Sequence, residues 1–186
     1  VEASRMIQLV NDILQLSHLD NVSETGAAPA METVDLLDVA RECVERQKVN
    51  ARRSYISLTY LGESAPVTGS RVLLDELCQN LCDNAIRYNR PGGKVQIITA
   101  CTRDGHCTLT VKDNGIGIPK EAQTSVFERF YRVDKSRSKA TGGTGLGLAI
   151  VKHIARIHNA RIKLESEGTL APPSPSFLRP PTKTAK

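Results

Sequence analysis

The sequence predicts an α+β fold in which helices cover one side of a sheet. Two observations carry this. Residues 36–52, 70–88 and 144–158 space their apolar side chains with helical period, whereas 55–61, 94–101 and 106–112 alternate in polarity or are rich in β-branched residues. Strands also follow one another in the chain, without the strict strand–helix alternation that builds a parallel sheet.

Residues 1–20 carry Met6, Leu9, Ile13 and Leu16 at a/d spacing, with Val10 and Leu14 widening the stripe, which predicts an amphipathic helix suited to a bundle. Residues 21–31, polar and small with Gly26 and Pro29, read as a linker. A strand begins near Glu32 and leads into the helix over 36–52, with Leu36, Leu37, Ala40, Val44 and Val49 on its inner side. Tyr55–Leu61 is the next strand. Ser70 is placed to N-cap a helix running to about Tyr88, and Asn89-Arg90-Pro91-Gly92-Gly93 stops it. Lys94–Cys101 and His106–Lys112 are joined by Thr102-Arg103-Asp104-Gly105, a hairpin signal. The stretch 114–143 mixes Gly, Pro and charge; a loop of that length in a compact domain is usually functional or mobile. A helix over 144–158 and a strand over 161–166 follow. The domain proper spans 32–168, and 169–186 reads by composition as a Pro-rich disordered tail.

With 186 residues, 40% of them hydrophobic and 24% charged, the chain suffices for one domain plus an appendage. Aromatics are 4% and Trp is absent, which argues against a base-stacking platform. The net charge of +5 is dispersed apart from Arg52-Arg53 and 129–139, so no nucleic acid partner is expected. No apolar run reaches membrane-spanning length and no signal peptide is present, so no membrane contact by this chain is expected. The first residue is Val, which suggests a fragment. Five cysteines, an odd count, point to a reducing cytoplasm. Cys78 and Cys82 share a helical face without further ligands and read as buried apolar thiols.

Four stretches bear on chemistry. Thr141-Gly-Gly-Thr-Gly-Leu-Gly-Leu-Ala-Ile-Val-Lys-His153 packs glycines just ahead of a helix. It fails the dinucleotide fingerprint at Ile150 and the P-loop at Leu148-Ala149. Alone it is either a flexible loop capped into a helix or a phosphate cradle. Asn80 and Asn84 project from one helical face, with Arg87 and Tyr88 a turn further on. Amides facing Mg²⁺ beside an Arg suit a triphosphate, though such pairs are also commonly solvated. Asp113-Asn-Gly115-Ile-Gly117-Ile-Pro119 ends a strand in a glycine turn. Its carboxylate can accept from adenine's exocyclic amine, or the stretch is a plain turn. Phe127-Glu-Arg-Phe130-Tyr-Arg132 precedes Asp134-Lys135-Ser136-Arg137.

In this order and spacing the four stretches resemble the N, G1, F and G2 boxes of the catalytic and ATP-binding domain of sensor histidine kinases. The resemblance runs from about Glu32 to Ser166, and residues 1–20, with Leu14-Gln-Leu-Ser-His-Leu-Asp20, look like the end of the second dimerisation helix. It implies a two-layer α/β sandwich of the histidine kinase ATPase (Bergerat) type, with ATP and Mg²⁺ as cofactors. By the same resemblance, Asn80 and Asn84 hold Mg²⁺ and the phosphates. Arg87 stands where the family often has Lys, keeping the charge and changing the geometry. Tyr88 lines the nucleotide pocket. Asp113 reads adenine, and Gly115 and Gly117 let the base approach. Gly143, Thr144, Gly145, Leu146 and Gly147 hinge an ATP lid and admit phosphates to a helix N-terminus. Glu76 occupies the place where related ATPases keep a catalytic base; here it orients a water or the incoming histidine. Phe127 and Phe130 anchor the lid. Glu76, Asn80 and Arg87 are thus the catalytic candidates.

The resemblance further implies transfer of the γ-phosphate to a histidine, relay to a response regulator, homodimerisation through the dimerisation helices, and a cytoplasmic domain of a membrane-anchored protein. The family's acceptor histidine is followed by an acidic residue and, soon after, a Pro. His18, followed by Leu-Asp-Asn-Val, does not match, nor do His106, His153 and His158. The acceptor is expected outside this chain. Two other readings compete. One is another ATPase of the superfamily, such as a serine kinase acting on an anti-sigma partner, a chaperone, or a gyrase or repair ATPase; the F-box stretch and the dimerisation helix weigh against it. The other is a non-catalytic ATP-binding module, against which the intact Asn80, Asp113 and glycines weigh. After Ser166 the family continues with a closing strand resembling G-T-T-F-T-V. Here a shifted codon frame from Leu170 permits G-T-T-F-T-V-I-P, so a frameshift near Gly168 is expected to have replaced that strand and left a sheet edge unpaired. The nucleotides after codon 168 decide it.

Overall fold

The computed structural model describes residues 2–25, 29–133, 143–166 and 176–179. The elements run α1 (Glu2–Thr25), β1 (Glu32–Asp35), α2 (Leu36–Arg53), β2 (Ser57–Gly62), β3 (Pro66–Gly69), α3 (Arg71–Arg87), β4 (Lys94–Cys101), β5 (Cys107–Asp113), a 3₁₀ turn (Lys120–Ala122), α4 (Gly147–Ile157), β6 (Arg161–Leu164) and β7 (Ser176–Arg179). A five-stranded sheet has the order β2-β4-β5-β7-β6, and β1 pairs with β3 in a small separate ladder. α2, α3 and α4 pack side by side, with α2 and α3 against the sheet, giving the expected two-layer sandwich. The sheet is antiparallel except for β2 and β4, which run parallel with β3 and α3 crossing between them.

Local chemistry explains most boundaries. Asp35 closes the N-terminus of α2: its Oδ1 accepts from Leu37 N–H at 2.9 Å and Ala65 N–H at 2.8 Å, and its Oδ2 from Ser64 Oγ at 2.6 Å. β2 starts two residues later than expected because Tyr55 adopts φ 57° in the turn after α2. Ser70 caps α3 by backbone position but not by side chain. Its N–H instead donates to His158 Nε2 at 3.0 Å, while His158 Nδ1 donates to the Ile154 carbonyl at 2.8 Å. The end of α4 is thereby tied to the start of α3. β3, which lacks any strong alternation, was not expected; β1 supplies its ladder.

Four further expectations are corrected. α1 continues to Thr25, into the expected linker, because no helix breaker precedes Gly26; residues 26–28 lie outside the described residues. The face of α1 that packs on the domain is Leu9, Asp12, Leu16 and Leu19, with Leu16 and Leu19 buried, while Met6, Ile7, Val10, Ile13 and Leu14 are exposed. Val49 is also exposed; α2 buries Leu36, Val39, Ala40, Cys43, Val44, Gln47 and Ala51, and Val49 lies on the opposite side of that stripe. Finally, part of the expected tail is a strand. β7 pairs antiparallel with both β5 and β6, so the sheet edge expected to be unpaired beside β5 is filled: β5 and β6 leave a slot between them that only a chain segment pairing on both sides satisfies. Residues 167–175 and 180–186 lie outside the described residues.

The cysteines divide. Cys43, Cys78 and Cys82 are free and fully buried where α2 meets α3, as expected for Cys78 and Cys82. Cys101 and Cys107, opposed in the β4–β5 register, form a disulfide, which the odd cysteine count did not suggest.

Candidate active site

One face of α3 supplies the site. Asn80 and Asn84 lie one turn apart, and Asn80 Nδ2–H donates to the Glu76 carbonyl at 3.1 Å, while its Oδ1 lies against Gly147. The start of α4 descends onto this face. A methyl group on Gly147 would lie 3.0 Å from Asn80 Oδ1 and 3.6 Å from Asn84 Nδ2, so the helix start packs tightly on both asparagines. The N-terminal amides of α4 and both asparagines therefore share one small space. Gly145, at φ 76°, turns the chain into the helix. Its carbonyl accepts from Phe130 N–H at 3.0 Å.

Arg87 and Tyr88 close the next turn. Arg87 Nη2 pairs with Asp83 Oδ2 at 2.6 Å, and Gly143 packs on both residues, since a methyl group there would sit 3.0 Å from Arg87 Nη1 and 3.2 Å from the Tyr88 hydroxyl. The Tyr88 carbonyl accepts from Ile116 N–H at 3.1 Å, which sews the turn after β5 to the end of α3. Asp113 ends β5 in that turn, and its Oδ1 accepts from Gly115 N–H at 2.8 Å. Burial raises its carboxyl above the usual range, against the opposing Gly115 hydrogen bond. Gly117 takes φ 70° further along the same loop.

The structure thus brings Asn80, Asn84 and Gly147 together, Arg87 and Tyr88 against Gly143, and Tyr88 against the Asp113–Gly115 turn. In the Gly143–Gly147 stretch, the Leu146 side chain is fully buried in the core, so its backbone is what can face a ligand. Phe130 is corrected. It is exposed, and the segment is held instead by buried Val126, by the Phe130–Gly145 backbone bond and by Arg129, whose Nη2 donates to both Asp20 carboxylate oxygens at 2.8 Å. Residues 134–142, the expected body of the lid, lie outside the described residues.

Glu76 faces the same side of α3. Burial, with the nearby Asp12 charge adding to it, pushes its carboxyl up to about 7 against a hydrogen bond from Gln15. Its Oε1 is buried without a partner, as are Nε and Nη2 of Arg132. Buried orphans of this kind call for a missing partner. A carboxyl that takes up a proton near neutrality suits a site that moves a proton. Among the described residues no group of three or more His, Cys, Asp or Glu side chains is arranged to hold a metal. A cation here has to share its shell between amide oxygens and ligand oxygens.

Sequence reasoning missed several participants. Asp12 lies on the packed face of α1 and accepts from Thr144 Oγ1 at 2.6 Å and Gln8 Nε2 at 2.7 Å. Gln15 reaches Glu76 from the same helix. A polar Asp12 between Leu9 and Leu16 on one helical face was the available signal. The sequence around Arg132 shows nothing of the burial of its Nε and Nη2.

Known proteins resemble this chain in sequence and in fold. The profile of the "Histidine kinase-, DNA gyrase B-, and HSP90-like ATPase" family matches residues 69–172. The sensor-like histidine kinase SenX3 of Mycolicibacterium smegmatis (strain ATCC 700084 / mc(2)155) is 45% identical over 171 residues, 89% of this chain and 42% of that protein. The sensor protein kinase WalK of Staphylococcus saprophyticus subsp. saprophyticus is 38% identical over 172 residues, 90% of this chain and 28% of that protein. The chain therefore spans well under half the length of these relatives. Among solved structures, the mycobacterial sensor histidine kinase MprB superposes with a TM-score of 0.69 at 31% identity, over 81% of this chain and 97% of that one. Full-length ShkA in complex with AMPPNP gives a TM-score of 0.77 at 24% identity over 99% of this chain and 37% of that one, a likeness of fold.

Proposed function

The chain belongs to the histidine kinase-, DNA gyrase B- and HSP90-like ATPases as the ATP-binding catalytic domain of a sensor histidine kinase, and from that premise we propose that it passes the γ-phosphate of ATP to a histidine carried on a dimerisation helix outside residues 1–186. The observation that carries this reading is the convergence of Asn80, Asn84 and the start of α4 at Gly147. A triphosphate placed there meets backbone amides and a helix N-terminus on one side and amide oxygens on the other. The chemistry that Mg²⁺ would supply, if bound here, is charge neutralisation of the phosphates. Asn80 and Asn84 are the side chains to hold the ion.

The other residues position the nucleotide. Asp113 accepts from adenine's amine, and Gly115 and Gly117 keep the backbone clear of the base. Tyr88 walls the pocket. Arg87, paired with Asp83, and Arg132, whose Nε and Nη2 are buried without partners, offset phosphate charge. Glu76 holds the attacking group in line and takes its proton; a carboxyl pushed up to about 7 is suited to that exchange at neutral pH. Gly143, Thr144 and Gly145 supply the backbone freedom of the turn into α4, with Gly145 at φ 76°. The exposed apolar face of α1, Met6, Ile7, Val10, Ile13 and Leu14, is the face for pairing with the acceptor helix and a second protomer. A response regulator then takes the phosphate, and the domain works in the cytoplasm beneath a membrane anchor.

The test supplies the missing part. Incubated with Mg-ATP and a separate dimerisation domain carrying its histidine, the chain is expected to place acid-labile phosphate on that domain and none on itself. Asn80→Ala should abolish the transfer. Nucleotide binding without any transfer would leave a non-catalytic ATP module; phosphate on His18 would overturn the assignment of the acceptor.

A further inference from the structure

We propose that the Cys101–Cys107 pair is a reversible thiol–disulfide exchange site, open at Cys101 to a small-molecule thiol. The pair sits at the turn end of the β4–β5 hairpin, where the strand register sets the two residues opposite each other. The hairpin does not need the bond to close. Thr102 N–H donates to the His106 carbonyl at 2.8 Å, Gly105 N–H to the Thr102 carbonyl at 2.9 Å, and His106 N–H to Thr102 Oγ1 at 3.2 Å. The register then continues to Val95 opposite Asp113. A cross-link over a sequence separation of 6 removes little chain entropy from a turn already fixed this way.

The two sulfurs are not equivalent. Cys107 is 3% exposed, whereas Cys101 is only partly buried at the edge of the core. An entering thiolate reaches the Cys101 sulfur, forms a mixed disulfide with it and expels Cys107 as the leaving thiolate. Cys107 takes the proton lost by the entering thiol. Its new S–H has an acceptor in place, because Cys107 Sγ lies 3.5 Å from the Pro66 carbonyl oxygen. A second thiol then attacks the mixed disulfide. The sum is one protein disulfide and two thiols giving two protein thiols and one small-molecule disulfide, and it runs backwards with the small disulfide as oxidant.

The surroundings exclude the alternatives. His106 Nε2 lies 3.1 Å from Asp104 Oδ2, beside the pair, yet no three His, Cys, Asp or Glu side chains converge on a metal position among the described residues. Cys43, Cys78 and Cys82 are fully buried, out of reach of any reagent in the folded state. Hydrogen bonding to Cys43 and burial also hold the Cys78 and Cys82 thiols well above the usual range. Cys107 and Asp113 stand at opposite ends of β5, about 20 Å apart at strand rise, so exchange is separable from nucleotide binding.

The experiment equilibrates the folded chain in glutathione buffers of graded reduced-to-oxidised ratio, quenches with acid, alkylates after unfolding and counts thiols by mass. The count is expected to rise from three to five as the buffer becomes reducing. Cys107→Ser should trap glutathione on Cys101, whereas Cys101→Ser should leave Cys107 unmodified until the chain unfolds. Partial reduction of the unsubstituted protein gives the same readout if a variant folds poorly: the mixed disulfide maps to Cys101. A pair that stays oxidised until global unfolding, or glutathione mapped to Cys107, overturns the proposal. ATP-analogue binding measured in the same samples should not change.

Discussion

Replacing Glu76 by Gln isolates the energetic consequence of burying a carboxyl in the site. In the folded chain Glu76 titrates at about 7 against 4.5 when unfolded, because burial, aided by the Asp12 charge, disfavours its ionised form. The folded state therefore binds the proton more tightly between those two values. The stability that the protonated group contributes is complete below 4.5 and is lost as pH rises through about 7. Unscreened, a rise of that size corresponds to roughly 3 kcal/mol. Glu76 retains some contact with water, so screening reduces this to about 1–2 kcal/mol. The glutamine keeps the shape and a hydrogen bond to Gln15 but does not ionise. Glu76→Gln should match the unsubstituted protein near pH 4.5 and exceed it by about 1–2 kcal/mol at pH 8, which for a chain of this size is roughly 3–6 °C in Tm. Calorimetric melts of both proteins over pH 4.5–8 read this directly. Taking the difference cancels Asp113, His153 and His158, which titrate with shifted values in both proteins. Stability curves that run parallel over the whole range would show that Glu76 ionises freely, and the proton-accepting role would fall with it. Asp12→Asn should narrow the window by removing the like charge.

Asp113→Ala should weaken ATP by roughly ten- to a hundredfold, the worth of a hydrogen bond to a charged acceptor. The unsubstituted site should prefer ATP to GTP in titration calorimetry, and equal affinities would sink the adenine assignment. Gly145→Ala places a methyl group 3.1 Å from the Phe130 backbone at φ 76°, so it should cost more stability in urea than Gly92→Ala. At Gly92, φ 82° is strained but the space is empty, and the expected loss is about 1–2 kcal/mol; equal losses would mean that the Gly145 turn gives way easily. On α1, Leu19→Ala should cost about 2–4 kcal/mol, whereas Asp20→Ala, which breaks the half-exposed pair with Arg129, should cost less than about 1 kcal/mol. Limited proteolysis of α1 would rank the two variants in that order, and the reverse order would place the docking energy in the ion pair.

Much of the molecule was legible in the sequence because it depends on local order. The helical periods of α2, α3 and α4, the stop at Pro91-Gly92-Gly93 and the Thr102–Gly105 turn are short-range signals, and all lie close to where they were expected. So were the asparagine pair, which one helical turn brings onto one face, and the Asp113 turn. Glycines 143, 145 and 147 were legible as a need for backbone freedom, but what they make room for was not: Arg87 and Tyr88, the Phe130 backbone, and Asn80 are remote in the chain. Tertiary packing alone decided which stripe of α1 meets the domain. Both stripes are apolar, and the chosen one is that on which Asp12 and Asp20 find Thr144 and Arg129. It also decided the place of Ser176–Arg179. A Pro-rich composition speaks for disorder, whereas the unfilled hydrogen-bonding edges of β5 and β6 create a demand that no local propensity records. The raised carboxyl of Glu76 and the partnerless Nε and Nη2 of Arg132 belong to the same class, since burial comes from neighbours distant in sequence.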